Sequence, residues 1–148
     1  MIALTNERRV EMKIYLAGAM SGIEWEDAVK WRSDVIEYFS ENSELTVDLE
    51  IFDPTRYVAD GLFSSDSEDM VFDLYNLRKS DIMICNWDND SIGTAIEIGV
   101  AKENNVPIIV YTTDFERLAK LHPWVKNSAL RVFSDLNELL EYVNTFFV

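Results

Sequence analysis

Five short apolar runs alternate along the chain with longer stretches whose apolar residues recur at helical spacing, and few folds accept that pattern. KIYLAG (13–18), LTVDLEIF (45–52), DIMICNW (81–87), VPIIVY (106–111) and LRVF (130–133) read as strands. Between the first two, EWEDAVKWRSDVIEYFSEN (24–42) places Ala28, Trp31, Val35 and Tyr38/Phe39 on one helical face. Asp53-Pro54 ends the second strand, and residues 55–66 read as a long, partly apolar loop. SEDMVFDLYNLRKS (67–80) is a second helix, with Ser67 or Asp66 as its cap and Met70, Leu74 and Leu77 as its core stripe. Ser91 opens a third helix that stops at Asn104-Asn105, and a short helix follows near 114–120. SDLNELLEYVNTFF (134–147) closes the chain, with Ser134 as cap and Glu138 near the capping-box place. Buried strands separated by helices predict an α/β fold, a five-stranded parallel sheet with helices on both faces.

In such a sheet, ligands bind outside the carboxyl ends of the strands, near the point where strand order reverses. That rule selects residues 17–25, 52–60, 86–93 and 111–128. After the first strand stands AGAMSG, in which Gly18 and Gly22 permit close backbone approach and Ser21 adds a hydroxyl. Such a turn either cradles a phosphate or sugar hydroxyl or is simply a tight strand–helix connection. It lacks the G-x-G-x-x-G spacing of a dinucleotide site. After the third strand stands NWDNDSIGTAIE, where Asp88, Asp90 and Ser91 crowd the entry to a helix and Gly93 leaves its first turn open.

Glu97 sits early in that helix between Ile96 and Ile98. Either it is solvated, or it is a poised carboxylate at a pocket mouth, favoured by the helix N-terminus and opposed by apolar neighbours. Asp73 lies at the edge of its helix's stripe, and Tyr15 falls inside a strand, where an aromatic is ordinarily core. Trp31 reads as core, whereas Trp25 and Trp87 lie at strand ends, where an indole could stack on a base.

Composition narrows the function class. The 148 residues carry 27 acidic and 13 basic side chains, a formal charge of −14, which repels nucleic-acid polymers but not a small nucleotide met by local N–H groups. One cysteine, Cys85 within an apolar strand, and one histidine offer no intrachain disulfide and no soft-ligand metal cluster, so no metal is expected. No run reaches the roughly 20 apolar residues of a membrane span, and the short basic-then-apolar start is no convincing signal peptide. A cytoplasmic protein is the default expectation.

Three blocks together, KIYLAGAMSG, DLYNLRKSDIMICNWDNDSIGTAIEIGVA and NSALRVFSDLNELLEYV, resemble the nucleoside 2-deoxyribosyltransferase family over Lys13 to Val143. The resemblance implies a flavodoxin-like doubly wound sheet that needs no cofactor. Glu97 would be the nucleophile, Tyr15 would orient it, and Asp73 would contact the base and assist its protonation. Gly18, Ser21, Gly22, Trp25, Trp87, Asp90, Ser91, Gly93, Asn127 and Ser128 would contact substrate.

Asn127 would reach a neighbouring subunit's site, which implies a homo-oligomer, dimer or higher. Partners would be nucleosides or deoxynucleotides and free nucleobases. Residues 1–12 would be an extension, and 13–148 a single domain. One departure matters: many transferases carry a sugar-binding aspartate six residues before the nucleophile, where this chain has Ser91. A serine there resembles the branch that hydrolyses deoxynucleoside 5′-monophosphates, with Ser21 and Ser128 completing a phosphate set, unless the neighbouring Asp90 takes the aspartate's role. Deoxyribosyl transfer is the favoured expectation; monophosphate hydrolysis and a non-catalytic nucleotide-binding module are the alternatives.

Overall fold

The computed structural model describes residues 10–42 and 47–148. Its strands are β1 (Glu11–Ala17), β2 (Asp48–Phe52), β3 (Ile82–Asn86), β4 (Ile108–Tyr111) and β5 (Arg131–Phe133). Its helices are α1 (Trp25–Glu41), α2 (Pro54–Ala59), α3 (Asp66–Arg78), α4 (Ile92–Glu103), α5 (Phe115–Ala119), α6 (Pro123–Ser128) and α7 (Leu136–Phe146). The strands form one sheet in the order β2-β1-β3-β4-β5, every neighbouring pair parallel. This is the flavodoxin-like order expected from the sequence, with its reversal between β1 and β3. Residues 1–9, most of the expected extension, lie outside the described residues, as do 45 and 46 of the expected second strand. Glu11 and Met12 belong to β1, paired with Asp48 and Leu49.

The two-residue period of a strand divides β1 between two cores. Ile14 and Leu16 join Trp31, Val35 and Phe39 of α1 and Leu139, Leu140 and Val143 of α7. Tyr15 and Ala17 face the opposite layer, with Leu77 of α3, Ile98 and Ala101 of α4, and Val125 of α6. The alternation fixes the site, because it sends Tyr15 to the α3–α4 layer.

Three local expectations change. Residues 54–59 form a helix where the sequence predicts loop: Asp53 Oδ1 accepts from the Thr55 backbone N–H at 3.0 Å, and Pro54 occupies the first helical position. Asp53-Pro54 is thus both a strand stop and a helix start. Ser65, not Ser67 or Asp66, caps α3 by accepting from Glu68 N–H, and Asp135, not Ser134, caps α7 by accepting from Glu138 N–H. In both cases the true cap lies three residues before the N–H it satisfies. The buried face of α3 also differs, since Met70 is 51% exposed whereas Asp73 is 9% exposed and Leu77 fully buried. The upper end of that helix turns carboxyls inward instead of a methionine.

Gly18, just past β1, is glycine because a Cβ there would stand 2.8 Å from Trp31 Cζ2 and 3.3 Å from Asn86 Cβ. Gly18→Ala is expected to destabilise the fold by about 1–3 kcal/mol, the usual range for overpacking a core. Urea denaturation measures it, and an unchanged midpoint would mean that the Trp31 ring moves aside freely.

Candidate active site

Tyr15 is fully buried, its ring stacked on Phe52 at 5.3 Å between centroids. Glu97 comes from the second turn of α4, whose start is fixed by the Ser91 hydroxyl accepting from Thr94 N–H at 3.2 Å. The Tyr15 hydroxyl donates toward Glu97, a contact loose enough that geometry alone leaves the phenol oxygen unsatisfied. Burial raises the Glu97 carboxyl to about 7, against the pull of the Tyr15 proton and the Arg32 charge. The same burial, with two carboxylates beside it, keeps the Tyr15 phenol protonated.

Asp73 on α3 completes the group with Asp69 one turn before it. Asp69 Oδ1 and Asp73 Oδ1 are both buried with no donor. Two such carboxyls at i,i+4 share a helix face, and the arrangement is stable when one proton lies between them. Burial first, then the charge of Asp69, raises Asp73 to about 8, so the pair keeps a proton at neutral pH. The cluster therefore contains a nucleophile that ionises near neutrality and an acid that keeps its proton slightly longer. That division suits displacement at a carbon whose leaving group must be protonated.

Asp69, Arg32 and Asp53 escape a sequence reading. Arg32 is 0% exposed and lies at the exit of β1, its guanidinium donating to the Gly18 carbonyl at 2.9 Å and the Ala28 carbonyl at 2.6 Å. The signal was present: Arg32 falls four residues after Ala28, on the face that carries the apolar stripe of α1. Asp69 and Asp73 likewise carry the i,i+4 spacing of a helical pair.

The remaining predicted residues divide into two groups. Gly18, Ser21, Gly22 and Trp25 form the β1–α1 connection; Ser21 is exposed, Gly22 has φ +77°, and Trp25 opens α1 at 41% exposure. Ser91 and Gly93 lie at the start of α4. Trp87, Asp90, Asn127 and Ser128 instead line a separate cleft of about 1000 Å³ with Ala95, Gly99 and other residues of α4, α5 and α6. Glu97 is not in its wall, because two residues along a helix turn the side chain well away from Ala95 and Gly99.

Trp87 does not offer an open stacking face: it is 7% exposed within the apolar cluster of Ile98, Leu121 and Val125. Asp90 pairs with Arg117, and the Ser128 hydroxyl donates to the Trp124 carbonyl. A smaller cavity, about 290 Å³, is lined by Tyr57, Phe63, Ser65 and Asp69 among others. Asp69 thus belongs both to the carboxyl pair and to a cavity wall. Among the described residues no group of three or more His, Cys, Asp or Glu is disposed to hold a metal ion, and no helix is long and apolar enough to cross a membrane.

A family profile described as nucleoside 2-deoxyribosyltransferase matches residues 14–140. A conserved protein from Enterococcus faecalis V583 superposes with TM-score 0.69 at 21% identity, covering 92% of this chain and 99% of that one. The 2-deoxyribosyltransferase of Bacillus psychrosaccharolyticus gives TM-score 0.68 at 23% identity, covering 88% and 91%. The CMP N-glycosidase of Clostridium botulinum gives 0.59 at 22%, covering 91% and 99%. Similarity at these identities establishes the fold. No curated protein sequence matches the chain.

Proposed function

The chain belongs to the nucleoside 2-deoxyribosyltransferase family, a class of deoxyribosyltransferases and N-glycosidases, and from that premise we propose that it transfers 2-deoxyribose between nucleobases through Glu97. The observation that carries the reading is the meeting of Glu97 with Tyr15 and Asp73 at the reversal point of the sheet. The ionised Glu97 carboxylate attacks C1′ of a deoxynucleoside as the bond to the base nitrogen breaks, through an oxocarbenium-like transition state. Asp73 gives its proton to the departing base, so the base leaves neutral. The electron pair of the C1′–N bond goes to the base, and C1′ becomes an ester of Glu97. A second nucleobase attacks the same carbon, expels the carboxylate and returns a proton, leaving the configuration at C1′ unchanged. Tyr15 holds the carboxylate in line.

A second reading, hydrolysis of a deoxynucleoside 5′-monophosphate, is favoured by one observation: Ser91, at the start of the twelve-residue helix α4, stands where a helix N-terminus can receive phosphate. Against it, the Ser91 hydroxyl already serves as the cap, and the net charge of −14 disfavours a dianion. The expected Asn127 contribution to a neighbouring subunit accords with its exposed position on α6, and with it the reading includes a homo-oligomer.

The test is product analysis. Thymidine or deoxyinosine incubated with free adenine should yield deoxyadenosine, read by chromatography. Free base with deoxyribose 5-phosphate from a monophosphate would move the assignment to hydrolysis. Neither product would leave a nucleotide-binding module and end the enzymatic reading.

A further inference from the structure

Arg32 approaches the carboxyl cluster from the opposite layer of the molecule. It belongs to α1, which packs with Ile14 and Leu16, whereas Tyr15, Asp73 and Glu97 belong to the α3–α4 layer. The guanidinium crosses at the carboxyl edge of the sheet. There it donates to the carbonyl of Gly18, reaches that of Leu16 at 3.5 Å, and rests against the Trp31 ring at 4.7 Å. Its carboxylate neighbour, Asp53, stands 3.9 Å from Nε, and Asp53 Oδ1 is already taken by the Thr55 N–H and hydroxyl. A wholly buried guanidinium held chiefly by carbonyls and facing a loosely placed carboxylate retains much of its field.

We propose that Arg32 is a positioning residue of this active site, clamping the exit of β1 that carries Tyr15 and supplying a buried positive charge at the carboxyl edge of the sheet, the edge at which α4 and its Glu97 begin. The inference rests on the reading of Glu97 as nucleophile. Gly18 and Trp31 fit the same role, since the close approach of the Gly18 backbone to the Trp31 ring brings its carbonyl to the guanidinium. The groups around Glu97 are Tyr15 from β1, Asp69 and Asp73 from α3, and Arg32 from α1, with Asp53 behind Arg32. Cys85 of β3 and Tyr111 of β4 also lie within the field of these charges, and burial keeps both protonated. Of these groups only Arg32 is a cation. Removing it leaves Glu97 with neutral or acidic neighbours, so Glu97 should hold its proton to higher pH.

The experiment titrates the Glu97 carboxyl directly, by carbon-13 NMR with assignment from Glu97→Gln, in the unliganded parent, Arg32→Met and Arg32→Lys. The acid limb of the rate of base release is followed alongside. Arg32→Met should move the midpoint and the limb alkaline by about one pH unit or more, roughly a tenfold loss at acid pH beyond any loss at alkaline pH. Arg32→Lys, which keeps the charge, should recover most of that shift. Both readouts are midpoints, so they do not depend on how much protein is folded.

Should Arg32→Met fail to fold, Asp53→Asn carries the test, because asparagine preserves the α2 cap while removing the charge that offsets Arg32. It should move both readouts toward acid. An unmoved Glu97 midpoint in whichever variant folds overturns the proposal and leaves Arg32 a structural clamp. A parent that titrates as expected but releases no base from any nucleoside would instead overturn the functional reading alone.

Discussion

Glu97→Gln is expected to cut base release by about 10⁴-fold or more, the scale on which loss of a covalent nucleophile is felt, while leaving a protein that at pH 8 resists unfolding better than its parent. The two halves of that expectation come from one cause. The carboxyl ionises near 7 in the folded chain and near 4.5 when free, and desolvation is the largest reason. Between those values the native state holds a proton that the unfolded state has lost, so stability falls as pH rises. The contribution is whole below about 4.5 and gone above about 7.

At pH 8 the parent therefore carries a half-buried, partly desolvated charge with a single buried cation acting on it, and glutamine removes that charge while still accepting from Tyr15. At pH 5 the parent's carboxyl is mostly protonated, and the advantage should vanish. Urea unfolding at the two values, beside a rate assay, checks both halves. Retained activity in Glu97→Gln would end the covalent mechanism. A variant equally destabilised at both pH values would show that the carboxylate is not desolvated.

Much of the layout was legible in the sequence. The parallel sheet follows from strands such as DIMICNW and VPIIVY, apolar on both faces, which become β3 and β4 wholly buried at Ile82–Cys85 and Ile108–Tyr111. The gathering of Tyr15, Asp73 and Glu97 is what the family resemblance implies; strand order adds that β1, which carries Tyr15, lies beside β3, the strand that leads into α4 and Glu97. What stayed hidden was polar burial. Periodicity assigns the inward face of α3 to Met70 and places Asp73 at its margin, yet the carboxyls of Asp69 and Asp73 lie inward and Met70 is exposed.

A pattern of apolar spacing cannot reveal that two acids will share a proton, since that depends on what the opposite helix presents. Arg32 was hidden for the same reason: its value lies in carbonyls on another element, Gly18 and Leu16. That Trp87 and Asn127 line a cleft whose wall does not include Glu97 is a matter of helix orientation, which motif spacing does not contain. Functional sites are where local rules are most often broken, and here the breaks mark the site's supporting residues.

Asp73→Asn should remove the alkaline limb of the pH–rate profile and lower the rate at its optimum by about 10²- to 10⁴-fold, the usual contribution of a general acid. In the parent, Glu97 must have lost its proton, which favours pH above about 7, and Asp73 must keep its own, which favours pH below about 8. The product of those fractions is a narrow bell centred between the two values. Because the carboxyls interact, its limbs report the cluster as a whole. Asparagine cannot donate a proton to the departing base, so only the Glu97 limb should remain.

The same substitution distinguishes acid catalysis from simple base contact. From a 4-nitrophenyl 2-deoxyriboside the 4-nitrophenolate leaves as a stable anion and needs no proton, so Asp73→Asn should cost far less with that substrate than with deoxyinosine. Equal losses on both substrates would make Asp73 a binding group. Asp69→Asn tests the shared proton from the other side: without the negative neighbour, Asp73 loses its proton earlier, and the alkaline limb should move toward lower pH. An alkaline limb that stays in place in Asp69→Asn would mean that Asp73 keeps its proton by burial alone.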